Sequence, residues 1–187
     1  PRYWVETDDV DSSLRAQEWD NEWIIAWRRN AASVNIRTCI CTVLPRSAIG
    51  DSLFIIIPRL AQNAAQAAAL LAALCSLPFD FAARQKVGGV NFSFFYMSQL
   101  PVPNLTLFSK TSTEFIAPRV LELTYTSHDL KPWAEDLGHA GQPFSFDPER
   151  RALLRAELDA FYAHLYGLTR DELRYILDPA DVMGPDY

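Results

Sequence analysis

Glycine and cysteine are both scarce in this chain, seven and three residues of 187, and each shortage removes a class of function. None of the glycines falls in a GxGxxG or GxxxxGK[ST] pattern, which excludes those two phosphate cradles. Cys39, Cys41 and Cys75 form neither a CxxC pair nor a zinc spacing. Such an odd set reads as free, buried thiols of a cytoplasmic type of protein, without metal or redox duty. HExxH and the GxSxG elbow are also missing, so zincin and α/β-hydrolase chemistry finds no motif. The three histidines, His128, His139 and His164, lie far apart with no nucleophile or partner carboxylate at a telling spacing, and no residue is assigned a catalytic role. Carboxylate pairs such as Asp8/Asp9 and Asp171/Glu172 read as a solvated turn and a helix start. No apolar run approaches the ~20 residues of a membrane span. The longest, Ala64 to Leu77, is broken by Gln66 and Ser76 and reads as a buried helix. No signal peptide is visible, and the start at Pro1 is expected of a fragment or a processed chain.

What is present is an ordinary globular balance, 49% hydrophobic and 21% charged, which is enough to bury a core. The net charge of −6 hides a segregation. Residues 1–22 carry two bases against seven acids, residues 23–119 nine bases against three acids, and residues 120–187 six bases against thirteen acids. A positive middle between acidic ends suits a polyanion-binding module within an acidic protein.

Pattern along the chain predicts a mixed α/β (α+β) body followed by a helical extension. "RYWV" reads as a short strand and "DDVDSSLRAQEWD" as a turn or short helix. "WIIAW" is a compact strand, and "RTCICTVLP" (Arg37 to Pro45) is a second, with Cys39 and Cys41 on one face. "SLFIIIP" reads as a buried strand closed by proline. "AQNAAQAAALLAALCSL" is helical by propensity, and Pro78 opens a separate helix that Gly88-Gly89 ends. "VNFSFFYM" reads as a core strand whose aromatics pack, and "LPVPNL" as its extended exit. "RVLELTYT" reads as a short bridge, and "SHDLKPWAEDLGHAGQPFSF" as a loop with helical pieces. Asp147-Pro148-Glu149 is a helix start whose apolar stripe runs through Leu154, Leu158, Phe161 and Leu165 to a stop at Gly167. Thr169 to Glu172 is a capping box, and Asp178-Pro179 closes its helix. The expected division is residues 1–118 as a body on a small mixed sheet and residues 119–187 as a helical C-terminal extension.

Candidate binding residues gather at the ends of these elements. Arg28 and Arg29 follow a strand, Arg37 opens the next, and Arg46 follows its end. Arg84, Gln85, Lys86 and Asn91 surround the Gly88-Gly89 hinge. Arginine and lysine suit phosphates, and Gln or Asn suits adenine edges, so Arg37, Arg84 and Lys86 are read as phosphate contacts, with Gln85 and Asn91 near bases.

The segments "WIIAWRRN…NIRTCICTVLPR…DSLFIIIP" and "ALLAALCSLPFDFAARQKVGGVNFSFFYMSQLPVP", with the tail from Arg119 to Leu177, resemble the C-terminal target-recognition region of bacterial N6-adenine DNA methyltransferases. The nearest kin by this resemblance are type IIG restriction–modification enzymes and related phage-defence methyltransferases. The resemblance implies a cytoplasmic DNA-specificity module that binds double-stranded DNA beside an upstream methyltransferase domain of the same parent chain. In that family S-adenosylmethionine and the flipped adenine belong to the catalytic domain and its Asn-Pro-Pro-Tyr motif. This chain has no such motif, so no cofactor is expected in it and it should not methylate DNA alone. The alternative is a structural or assembly domain that docks the catalytic domain or a partner subunit.

Overall fold

The computed structural model describes residues 4–32, 35–61, 63–104, 106 and 108–184. An N-terminal helix, α1 (Thr7–Arg15), carries Asp8 and Asp9 in its first turn and Arg15 in its last, each placed where its charge opposes the helix dipole. Next comes β1 (Trp23–Arg28), the centre of a three-stranded antiparallel sheet with β2 (Cys41–Pro45) on one side and β3 (Leu53–Ile56) on the other. Ile25 stands opposite Val43 and Ile56, and Trp27 opposite Cys41 and Phe54. Strand alternation therefore puts Trp23, Ile25, Trp27, Cys41, Val43, Phe54 and Ile56 on one face.

Helix α2 (Ala64–Cys75) starts at Asn63, whose side chain accepts from the Gln66 N–H. It is buried around most of its girth, from Ala67 through Leu74, because its alanines let β2 and the later helices approach closely. Ser76 ends it, and Pro78 sits in the first turn of α3 (Leu77–Lys86), so the two axes bend by 53°. A single-turn helix, α4 (Phe94–Met97), follows the Gly-Gly corner. Helix α5 (Lys110–Thr124) buries Ile116, Val120 and Leu121, and a 3-10 turn (His128–Leu130) leads into α6 (Lys131–Asp136). Trp133 of α6 lies edge-on to Trp23 at 4.6 Å. The Trp23 indole donates to Asp136 at 2.8 Å and the Trp133 indole to Thr124 at 3.0 Å, so both buried N–H groups are satisfied.

The tail begins as its sequence indicates. Asp147 accepts from the N–H groups of Glu149 and Arg150 at the start of α7 (Pro148–Leu165), and Leu154 and Leu158 are buried along its stripe. Gly167, at φ 74°, takes the left-handed conformation after α7. The Thr169–Glu172 capping box opens α8 (Arg170–Leu177), and Asp178 closes it and caps a further short helix, α9 (Pro179–Met183). The Tyr162 hydroxyl of α7 donates to the Ala69 carbonyl of α2 at 2.6 Å, and Arg119 of α5 pairs with Glu157 of α7 at 2.6 Å. One large hydrophobic cluster contains Trp23 and Ala68 together with Trp133 and Tyr162. Residues 118 and 119 both lie inside α5, and core contacts join the segments on either side of them.

The α+β class stands, and five local readings change. Arg37 to Ile40 is not strand: β2 begins only at Cys41. "SLFIIIP" yields a four-residue edge strand that is half-buried throughout. "VNFSFFYM" is no core strand: it joins neither edge of the β2–β1–β3 sheet. Asn91 forms only an isolated bridge with Asn30, past the end of β1; Phe92 is buried, and the chain then turns into α4. "RVLELTYT" is not a bridge but the second half of α5. Trp4 and Val5 lie in no strand, and Arg2 and Tyr3 of that reading fall outside the described residues. No single helix among the described residues is long and apolar enough to cross a membrane.

Candidate functional site

The eight residues expected to face a ligand divide into two groups, and burial with partner geometry makes the division. Arg46 keeps only 9% of its side chain exposed. It donates to Asp11 at 2.7 Å and to the carbonyls of Trp19 and Asn21, which fastens the chain between α1 and β1 to the end of β2. Arg84 donates to the carbonyls of Asn35 and Ile36 at 2.9 and 3.0 Å and approaches Asp80 at 3.4 Å. Arg37 pairs with Asp159 of α7 at 3.3 Å. Burial, partly offset by the Leu77 N–H and the Arg37 charge, raises the Asp159 carboxyl above the usual carboxylate range. These three arginines, expected from the sequence to contact DNA, are each held by partners within the fold. Arg29 pairs with the exposed Asp51, its guanidinium 6.0 Å from the Phe54 ring.

Behind Arg84 sits a residue that sequence reasoning overlooked. Asp80, 3% exposed, accepts from the N–H groups of Thr38 and Cys39 at 2.8 and 2.7 Å. Those bonds explain why residues 38 and 39 leave the sheet: their backbone donors turn to a carboxylate in the first turn of α3 rather than to β1. An acid two residues after a helix-opening proline was the available signal, and it points to a cap as readily as to a tether.

Arg28, Gln85, Lys86 and Asn91 remain exposed. Backbone bonds draw their segments to one corner: the Ala31 N–H donates to the Val90 carbonyl at 3.0 Å, and the Phe92 N–H to Arg29 at 2.7 Å. The Trp27 indole closes the corner from inside by donating to the Phe92 carbonyl at 2.9 Å. Arg28 is at the same end of the sheet but on the face opposite Trp27. It has no carboxylate partner among the described residues.

Around this corner the aromatics are open to solvent. Phe94 is 56% and Phe95 70% exposed, and Val90 beside them 67%. Phe94 rests on Trp27 and Phe54 with ring centroids 4.9 and 4.3 Å away, so its inner edge is fixed while its outer edge is free. Gln99 donates to the Phe95 carbonyl at 2.8 Å and accepts from Lys86 at 3.5 Å, which ties the ammonium to the aromatic turn. Phe94 and Phe95 were not expected at a binding surface because a core strand would have buried them, and Gln99 lies beyond that run. The corner thus offers flat apolar edges, amide groups and a cation on a rigid base, which can stack, hydrogen-bond and neutralise negative charge.

The histidines are not part of this corner. His139 stacks on Phe144 at 5.0 Å, and His164 is exposed on α7. No group of acids, cysteines and histidines among the described residues could hold a metal ion. Set against protein-family models, curated proteins and solved structures, the chain finds no match.

Proposed function

We propose that the chain is a DNA-binding module which engages duplex DNA through the corner formed by Lys86, Gln85, Asn91, Phe94, Phe95 and Gln99, with Arg28 at its rim. The observation that carries this reading is the exposed Phe94–Phe95 turn joined through Gln99 to Lys86. Exposed aromatics held beside cations stack on bases or wedge between base steps while the cations meet phosphate. The amides of Gln85 and Asn91 supply paired donors and acceptors of the kind that match an adenine edge. In this proposal the module serves an upstream methyltransferase domain, which would hold S-adenosylmethionine and perform any chemistry.

Phe95→Ala is the direct test. Burying a phenylalanine side chain contributes about 1.5–3 kcal/mol, so duplex affinity measured by fluorescence anisotropy should fall roughly ten-fold, with the melting temperature unchanged because Phe95 is mostly solvent-exposed. Unaltered affinity would remove Phe95 from the interface. A second reading rests on the same exposed apolar edges, since such patches also mark protein-docking surfaces. There Phe95→Ala weakens capture of the upstream domain in the absence of DNA and leaves DNA binding alone.

A further inference from the structure

The three cysteines, scattered in sequence, meet on one cavity. Cys75 ends α2 and Cys41 begins β2, and the Cys75 sulfur lies 3.4 Å from the Cys41 carbonyl oxygen. The sulfurs of Cys39 and Cys41 are 3.4 Å apart. All three line a cavity of about 260 Å³ together with Arg37, Arg151 and Arg155. The accessibilities are graded: Cys39 buried, Cys41 half-buried, Cys75 exposed. Arg151 and Arg155 have no carboxylate partner among the described residues, and Arg37 Nη1 is buried without a partner there. Three cations against the single Asp159 therefore leave this cavity positive.

We propose that Cys75 is an oxidation-sensitive thiol whose substrate is a small hydroperoxide, and that Cys41 is its resolving partner. The grading of exposure assigns the roles, because only Cys75 is open to a reagent entering from the cavity. Its electrostatics agree: hydrogen bonds with Cys41, side chain first and then backbone, and after them the Arg37 charge, lower the Cys75 thiol. The bonds to Cys39 and Cys75, with burial, push Cys41 well up. A thiolate is the nucleophile in such chemistry, so the first step belongs to Cys75.

In that step the Cys75 thiolate attacks the peroxide oxygen. An S–O bond forms, the O–O bond breaks, and the leaving alkoxide or hydroxide takes a proton from water. Sulfur loses two electrons and the peroxide gains them, giving a sulfenic acid. Cys41 then attacks the Cys75 sulfur; an S–S bond forms, the S–O bond breaks, and the hydroxyl leaves with the Cys41 proton as water. Cys39 is the poorer resolving partner for Cys75, since it is buried and its sulfur contacts that of Cys41.

The experiment uses the whole chain with hydrogen peroxide as the probe, followed by peptide mass mapping and dimedone trapping. The expected product is a Cys41–Cys75 disulfide. Cys41→Ser should stop at a dimedone-reactive Cys75, Cys75→Ser should leave the other two thiols reduced, and Cys39→Ser should still form the disulfide. Iodoacetamide should also label Cys75 several-fold faster than Cys41 at neutral pH, as expected of a lowered thiol. Oxidation that begins at Cys39 or Cys41, or a Cys75 that stays reduced where free cysteine is oxidised, overturns the proposal.

Discussion

Replacing Asp80 by alanine is expected to lower stability by about 3–4 kcal/mol, the cost of breaking a buried charged tether. Its carboxylate satisfies the Thr38 and Cys39 N–H groups and faces Arg84. Alanine strands both donors, each worth about 1–3 kcal/mol when left unpaired. The effect sits toward the low end of the range for buried pairs because Arg84 keeps 37% of its side chain in solvent. For a chain of this length that is a fall of roughly 10 °C in the melting temperature. Asp80→Asn keeps an oxygen for both N–H groups and should cost about 1–2 kcal/mol. An alanine variant that melts with the parent would show that residues 38 and 39 are held by something else.

Arg46→Ala should be the next most damaging change, at about 2–3 kcal/mol, because three separate acceptors lose one nearly buried guanidinium. Asp11 is left without its partner, and the carbonyls of Trp19 and Asn21 lose their donor. Arg46→Lys should restore less than half of the loss, since a single ammonium cannot span the geometry of the fork. The check is thermal unfolding beside duplex binding on the same samples. Lost stability with unchanged affinity per folded molecule identifies a structural residue. Lost affinity with unchanged stability would return Arg46 to the DNA interface.

Both variants mark the point where reading the sequence stopped short. Elements set by neighbouring residues were legible: the β1 run, the Pro78 helix start, the Asp147 cap and the Thr169 box. Elements set by distant partners were not. The run from Val90 to Met97 has the aromatic content of a strand, but it joins no edge of the sheet and turns into α4. Arg37 has the look of a surface base until Asp159, 122 residues later, comes to meet it. A cluster of bases with few acids nearby in sequence suggested a polyanion surface, yet folding delivered distant carboxylates to Arg29, Arg37 and Arg46, and Asp80 lies one helical turn from Arg84. Cys75 reads as isolated for the same reason, 34 residues from the strand that it touches. The Lys86–Asn91 corner was legible as a basic, glycine-hinged junction. Its exposed phenylalanines were not.

An interface confined to the exposed corner has a small footprint, and that size is measurable. Each phosphate neutralised contributes about −0.9 to the slope of log affinity against log salt on duplex DNA. The decisive measurement is this slope for the parent chain and for the double variant Arg28→Ala/Lys86→Ala, both confirmed folded by thermal unfolding. The proposed corner predicts a parent slope of roughly −2 to −3 and a variant slope shallower by about 2 units. Equal slopes in the two proteins, or no duplex binding by the parent at low salt, would contradict it.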